Sequence, residues 1–155
     1  MSFAWTRETP IGPMTLVEEG GALTRAIFGP DAPEGARREE TPLLRRAFEQ
    51  LDEYLRGARE AFDLPLDARG TPFQRRCWQA LLDIPYGQTR TYAQQAQAAG
   101  SPRAFRAVGM ANHHNPLPVF IPCHRVVGAD GGLTGYAGGL GVKRTLLELE
   151  NARRG

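Results

Sequence analysis

The sequence predicts a two-part α/β protein of the segregated α+β kind. Residues 1–70 form a small sheet-plus-helix domain, and residues 71–155 form a mainly helical domain. Three observations carry this. Two β-leaning runs flank Gly20-Gly21 within the first thirty residues. Apolar residues recur at steps of three and four between Leu43 and Leu55. From Thr71 onward, short helical patterns alternate with Gly and Pro breaks.

Met14-Thr15-Leu16-Val17 and Ala22-Leu23-Thr24-Arg25-Ala26-Ile27-Phe28 read as a hairpin around the Gly-Gly turn. Residues 29–40, rich in Pro, Gly and charge, read as a loop. Leu43, Leu44, Ala47, Phe48, Leu51, Tyr54 and Leu55 then make one apolar helix face, with Thr41 as N-cap, Pro42 at N1 and Gly57 near the end. Phe62-Asp63-Leu64-Pro65-Leu66 alternates like a last strand, the third of the sheet, with Pro65 restricting it to an edge or a strand end. Asp67 to Gly70 reads as the boundary.

Beyond it, Phe73, Cys77, Trp78, Leu81 and Leu82 mark a helix that stops near Pro85-Tyr86-Gly87. Thr91-Tyr92-Ala93-Gln94 fits a capping box opening a second helix, which ends at Gly100. Ser101-Pro102 reads as N-cap and N1 of a third, carrying Phe105, Arg106, Val108 and Gly109. Two short helices joined by a glycine turn are the helix-turn-helix pattern. Asn115-Pro116-Leu117-Pro118 breaks it, and a Gly-rich loop over 131–141 precedes a last helix with Leu146, Leu147 and Leu149.

A hydrophobic content of 41% and a charged content of 23% are those of a globular chain, and no stretch approaches the length of a membrane helix. The N-terminus has an early acid and no apolar core of a signal, so a cytoplasmic protein without membrane association is expected. Cys77 and Cys123 make no disulfide framework, and His113, His114 and His124 lack metal-ligand spacing. Neither a structural metal nor a cofactor is expected. Residues 1–70 hold nine Arg against thirteen Asp and Glu, a net of −4, whereas residues 71–155 hold ten Lys and Arg against four acids, a net of +6. A basic half suits a phosphate-bearing partner, although a dipolar surface without a partner has the same composition.

The chemistry centres on Ile121-Pro122-Cys123-His124-Arg125-Val126. A lone cysteine is most often a small buried hydrophobe. Here a base, His124, and a cation, Arg125, adjoin it, and both favour a thiolate. In an extended segment neighbouring side chains face opposite ways, so His124 serves Cys123 through a turn or a bridging water. Arg106 reads as a solvated helix residue, Phe105 as core, and Tyr92 as a tyrosine with its hydroxyl at the surface. The loop Thr134-Gly135-Tyr136-Ala137-Gly138-Gly139-Leu140-Gly141 fails as a P-loop. It is either a flexible surface loop or one whose backbone must approach a flat ligand.

These segments together resemble the O6-alkylguanine-DNA alkyltransferase family. The resemblance runs through Thr71-Pro72-Phe73-Gln74, Pro85-Tyr86-Gly87, Thr91-Tyr92, Arg106-Ala107-Val108-Gly109, Asn115-Pro116, Ile121 to Val126, and Gly135 to Gly139 on to Lys143. It covers nearly all of residues 71–150 in order. In residues 1–70 it extends only to a strand-then-helix pattern, which implies the family's ribonuclease H-like N-terminal domain.

The resemblance implies repair of double-stranded DNA by irreversible transfer of an alkyl group from guanine O6 to Cys123, with O4-alkylthymine as a further possible substrate. A thioether has no easy leaving group, so each molecule acts once. The target base is flipped from the minor groove. Arg106 matches the residue that fills the vacated stack, with Ala107 and Gly109 on the same DNA-facing helix and Arg125 among the DNA contacts. Tyr92 matches the tyrosine that contacts guanine N3 and helps rotate the nucleotide. Asn115 matches the link between helix-turn-helix and acceptor. His124 would deprotonate Cys123 through water, oriented by Glu150. Carbonyls of Cys123 and Val126 would accept from the guanine amine, and the Ala137 amide would donate to O6 in a pocket shared with Tyr136 and Gly138. A monomer is expected. His113-His114 depart from the family pattern, and Cys77 reads as core. Three other classes share parts of the pattern: a lesion-binding module, which would lack the cysteine; a redox-sensing regulator; and a cysteine hydrolase built on Cys123, His124 and Glu150.

Overall fold

The computed structural model describes residues 1–154, with side chains described through Asn151. The chain divides into two compact units, Met1–Arg69 and Gly70–Gly155.

The first unit is a four-stranded sheet with one helix. Strands β1 (Ser2–Thr9), β2 (Gly12–Glu19), β3 (Ala22–Phe28) and β4 (Arg37–Arg38) lie in the order β3-β2-β1-β4. The β1–β2 and β2–β3 pairs are antiparallel, and β4 joins β1 in parallel. The hairpin at Gly20-Gly21 forms as predicted, with both φ angles positive (64° and 83°), the geometry a two-residue turn demands. Met14 through Glu18 are all buried, so the central strand β2 shows no in-out alternation. Helix α1 (Pro42–Leu55) is capped by Thr41, whose Oγ1 accepts from the Leu44 amide, and buries Leu44, Ala47, Phe48, Leu51 and Tyr54 against β1 and β2.

Two expectations change here. The third full strand is the N-terminal Ser2–Thr9, and the loop after β3 contributes the two-residue β4. Phe62–Leu66 is no strand: it makes one bridge, Leu66 to Leu23. The Leu23 amide donates to Pro65 O (2.9 Å) and the Asp67 amide to Leu23 O (2.8 Å). Pro65 has no N–H with which to extend a ladder. The segment is instead held by buried Gln50, whose amide group bonds the backbone N–H and C=O of Asp63 at 2.8 and 3.1 Å.

The second unit contains α2 (Pro72–Leu82), β5 (Arg90–Thr91), α3 (Tyr92–Ala98), α4 (Phe105–His113), a 3₁₀ turn (Cys123–Arg125), β6 (Val126–Val127) and α5 (Leu140–Arg154). Cys77, Ala80, Ala96, Ala99, Val108 and Ala111 form a core of small side chains, which lets α2, α3 and α4 approach closely. Cys77 is fully buried there, as its reading as core requires. Trp78 Nε1 donates to Ala111 O at 2.9 Å. Gln95 and Asn112 exchange two side-chain amide bonds of 2.7 Å, and Gln95 also donates to Cys77 O, tying the three helices together.

The capping box at Thr91 and Gln94 is present. Gly100 (φ 81°) ends α3 as a Schellman cap, with Ser101 N to Ala96 O and Gly100 N to Gln97 O. The next helix starts later than Ser101-Pro102 suggests. Ser101 O accepts from the Ala104 amide and closes a separate turn, so α4 opens at Phe105 without a side-chain cap. No earlier turn of α4 covers Phe105, and it is 49% exposed instead of buried in the core. Among the described residues no helix is long and apolar enough to cross a membrane.

Candidate active site

The two-residue pairing of β5 with β6 organises this region. It sets Arg90 beside Val126 and Thr91 beside Val127. Thr91 is also the N-cap of α3, so Tyr92 is fixed next to the segment that follows Cys123. Asn115 shapes the approach from the other side. Its Nδ2 donates to Ile121 O (2.9 Å) and its Oδ1 accepts from the Leu117 amide (3.0 Å). The loop so clamped holds Val119 at φ 75° with its side chain buried. A β-branched residue in the left-handed region costs on the order of 1–3 kcal/mol, sustained only where the surroundings enforce it. The chain then enters the 3₁₀ turn at Cys123, so the turn, and not the extended segment, sets how Cys123 and His124 are presented.

Helix α5 supplies the groups beneath. Lys143, Leu146 and Glu150 are its buried residues in this stretch, at spacings of three and four, so a cation and a carboxylate share one inward face. Glu150 Oε2 lies 2.8 Å from His124 Nε2, with both side chains almost wholly buried. Arg125 grips the same carboxylate through Nε (2.8 Å) and Nη2 (3.0 Å), donates from Nη1 to Ile84 O (2.8 Å), and lies over the Tyr86 ring. The Gly87 amide donates to Glu150 Oε1 at 3.2 Å. Arg125 neutralises Glu150, so His124 can sit uncharged, and burial pushes its pKa below the usual imidazole value against the opposing pull of Glu150. Arg125, expected among the DNA contacts, is therefore turned inward, with its donors committed to Glu150 and Ile84.

Burial pushes the Cys123 thiol up to about 11, against the smaller opposing effects of a hydrogen bond from Asn115 and the charge of Lys143. The resting group is a thiol, and a thiolate nucleophile requires a base at the moment of reaction.

Cys123 opens onto a cleft of about 160 Å³ lined also by Tyr92, Gly109, Asn112, His113, Gly135, Tyr136 and Ala137. The structure thus brings Tyr92, Gly109, Tyr136 and Ala137 together with Cys123. Asn112 and His113 join the lining without having been singled out for it. Their place on α4 beside Gly109, at steps of three and four, was the available signal. Gly109 faces Tyr92 closely: an added Cβ would sit 3.7 Å from the ring. Val126 lies behind the cleft with its carbonyl on Lys143 Nζ (2.7 Å), and Gly138 stands apart from the lining. Arg106 and Ala107 are exposed on α4. From Ile84 to Ala129 the chain contains no Asp or Glu, so α3, α4 and the Cys123 segment present basic side chains without carboxylates of their own. Among the described residues no group of His, Cys, Asp and Glu is placed to hold a metal ion.

The fold and this constellation define a protein with a cysteine at the edge of a cleft, beside an exposed, acid-free helix. Comparison with known proteins gives the family. The model of the 6-O-methylguanine DNA methyltransferase ribonuclease-like domain matches residues 4–68, and that of the same family's DNA binding domain matches residues 72–152. The chain belongs to the 6-O-methylguanine DNA methyltransferase family. It is 50% identical over 151 residues to the methylated-DNA–protein-cysteine methyltransferase of Mycobacterium bovis, covering 96% of this chain and 92% of the relative. It is 46% identical over 158 residues to the constitutive enzyme of that name from Bacillus subtilis, covering 97% and 96%. A crystal structure of Mycobacterium tuberculosis OGT in complex with DNA superposes with a TM-score of 0.91 at 47% identity, covering 97% of this chain and 94% of that one.

Proposed function

We propose that this protein is a cytoplasmic, monomeric DNA-repair methyltransferase that moves the alkyl group from O6 of an alkylated guanine in duplex DNA to Sγ of Cys123, once per molecule. The observation that carries the reading is the opening of the Cys123 thiol onto a cleft next to α4, with His124 and Glu150 buried behind it. His124 takes the thiol proton through a water, and the Glu150–Arg125 pair fixes the imidazole and balances the charge that it gains. The thiolate displaces guanine at the alkyl carbon. The carbon–oxygen bond breaks, the electron pair leaves with the base, and the thioether cannot be reversed.

Guanine O6 inside a duplex is out of reach of a cleft of this kind, so the nucleotide rotates out of the stack. On the family pattern Arg106 fills its place, Ala107 and Gly109 let α4 approach the minor groove, and Tyr92 meets the base edge. Carbonyls of Cys123 and Val126 and the amide of Ala137 then read the base, alongside Tyr136 and Gly138. Reading from the minor groove distinguishes sequences poorly, which suits repair in any context.

The test is intact-protein mass spectrometry with peptide mapping after incubation with excess duplex carrying O6-methylguanine, with O4-methylthymine duplex in parallel. One methyl group on Cys123 and no further reaction is the expected result. Unmodified protein that still binds the lesion would make it a recognition module. Neither modification nor binding would return the regulator and hydrolase readings.

A further inference from the structure

Helix α4 turns Val108 and Ala111 into the core and leaves Met110 58% exposed. Among the described residues only Met1, at the chain end, is a more exposed large apolar side chain. A single exposed apolar residue is common on a protein surface. The surroundings of Met110 set it apart. Arg106 lies one turn earlier, so the two side chains share a face of the helix, about 6 Å apart along its axis. Arg106 and Ala107 are exposed on the same helix, and no Asp or Glu occurs between Ile84 and Ala129. Phe105 is exposed too, at 49%, but it shares with Gly109 the edge of α4 that faces the Tyr92 ring. Met110 stands about 100° further round the helix than Gly109, away from that edge.

A face that combines a cation, no carboxylates and an apolar side chain matches the minor groove of duplex DNA. Phosphates line the rims of the groove and draw basic side chains. Its walls are deoxyribose, an apolar surface repeated at every base pair. The groove is about 6 Å wide, which suits a slender side chain, and methionine, unbranched and flexible, adapts to such a wall. We propose that Met110 is a minor-groove contact of α4 that packs its thioether against the deoxyribose walls, one turn along the helix from Arg106. The inference rests on the duplex-DNA reading of this face. Two contacts a turn apart fix α4 along the groove, where one alone leaves the helix free to pivot about it, so Met110 keeps Arg106 in register with the nucleotide to be rotated out. Apolar packing releases no counter-ions, so the contribution of Met110 to affinity is independent of salt, unlike that of an arginine. Sugar walls carry no sequence information, which again suits repair in any context.

The test is the affinity for undamaged duplex, followed by fluorescence anisotropy through a salt series, in the parent and in three variants whose exposed helix position leaves the fold intact. Met110→Ala, which shortens the side chain, and Met110→Gln, which keeps its length and makes it polar, should each weaken binding by about tenfold at every salt concentration. Their log–log lines should therefore run parallel to that of the parent. Met110→Leu should return affinity to within about twofold of the parent. At subsaturating protein, transfer from O6-methylguanine duplex should slow by about tenfold relative to transfer from free O6-benzylguanine, which has no groove walls. Parent-like binding by Met110→Gln, a changed salt slope, or equal slowing on duplex and free base would overturn the contact. Altered sedimentation of the free protein with unchanged affinity for DNA would also overturn it, and would make Met110 a contact between copies of the chain. A parent that does not bind undamaged duplex overturns the contact together with the DNA reading. A parent that binds duplex but leaves Cys123 unmethylated overturns the transfer reading alone, and parallel lines in the affinity series would then still establish the contact.

Discussion

Arg125 holds Glu150 by two hydrogen bonds, 2.8 and 3.0 Å long, where the carboxylate is only 1% exposed. The pair is buried, bidentate and shared with His124, so its members cannot be removed singly without stranding a charge. Glu150→Gln leaves the guanidinium without its counter-ion and should lower unfolding free energy by about 3–5 kcal/mol. Arg125→Met combined with Glu150→Gln should recover part of that loss, because both charges are then gone. Urea denaturation of the single and double variants measures both effects. A loss below about 1 kcal/mol in the single variant would place the pair with weak surface bridges.

The elevated thiol value fixes a pH dependence. Below it Cys123 is protonated, and its reaction with a small electrophile follows the thiolate fraction. Modification of Cys123 by iodoacetamide, followed by peptide mapping, should rise about tenfold per pH unit and continue to rise towards pH about 11. An ordinary cysteine levels off near 9.0. A plateau below pH 8 would mean that the folded protein already stabilises the thiolate at rest.

His124 gives a pH dependence of stability. Its folded pKa lies below the ordinary value of 6.5, so the unfolded chain binds the proton first as pH falls. The stability associated with a neutral buried imidazole is fully present above pH 6.5 and is lost as pH drops through 6.5 towards the folded value. Unfolding free energy measured at pH 7.5 and 5.5 should fall between the two in the parent, and fall less in His124→Gln. Identical slopes would remove His124 as the source.

Local signals in the sequence translated well where a motif closes within a few residues. The Thr91–Gln94 capping box, the Gly100 cap and the Thr41 cap all bond to neighbours that the chain itself places. The same kind of signal misled at Ser101-Pro102, because a serine ahead of a proline opens a turn as readily as a helix, and Ala104 N to Ser101 O chose the turn. Phe62–Leu66 alternated like a strand, but alternation says nothing of whether Pro65 has a neighbour to pair with. At the site, Cys123, His124 and Glu150 were legible through the family pattern. The direction of Arg125 was not, since its partners lie 25 and 41 residues away. In the sequence Lys143 is the end of a motif, and only the folding of α5 against Val126 and Thr134 makes it a buried cation. The acid-free run from Ile84 to Ala129 is plain in the sequence, but only the fold gathers it into a surface formed by α3, α4 and the Cys123 segment.

That surface makes a prediction about DNA. Arg106 is exposed on α4, so Arg106→Ala should change stability by no more than about 0.5 kcal/mol. It should nevertheless slow transfer from duplex far more than transfer from free O6-benzylguanine, since only the duplex requires the vacated stack to be filled. Affinity for undamaged duplex should fall steeply with salt, with a log–log slope of about 0.9 per phosphate contacted. Equal effects on duplex and free base would assign Arg106 to general binding, and salt-independent affinity would remove the electrostatic account of the basic surface.

Ala137 lines the cleft together with Cys123. Gly135 and Tyr136 line it too, and the small side chain of Ala137 is exposed. Replacing it with leucine adds three carbons to the lining, and on the alkyl-transfer reading these compete for space with an adduct larger than methyl. Ala137→Leu should therefore reduce benzyl transfer from O6-benzylguanine duplex by about tenfold relative to methyl transfer from O6-methylguanine duplex, a discrimination of the size that pocket methylenes usually supply. The measurement is the ratio of the two single-turnover rates in parent and variant. An unchanged ratio would show that adduct size is limited elsewhere, with His113, another lining residue, the next to vary.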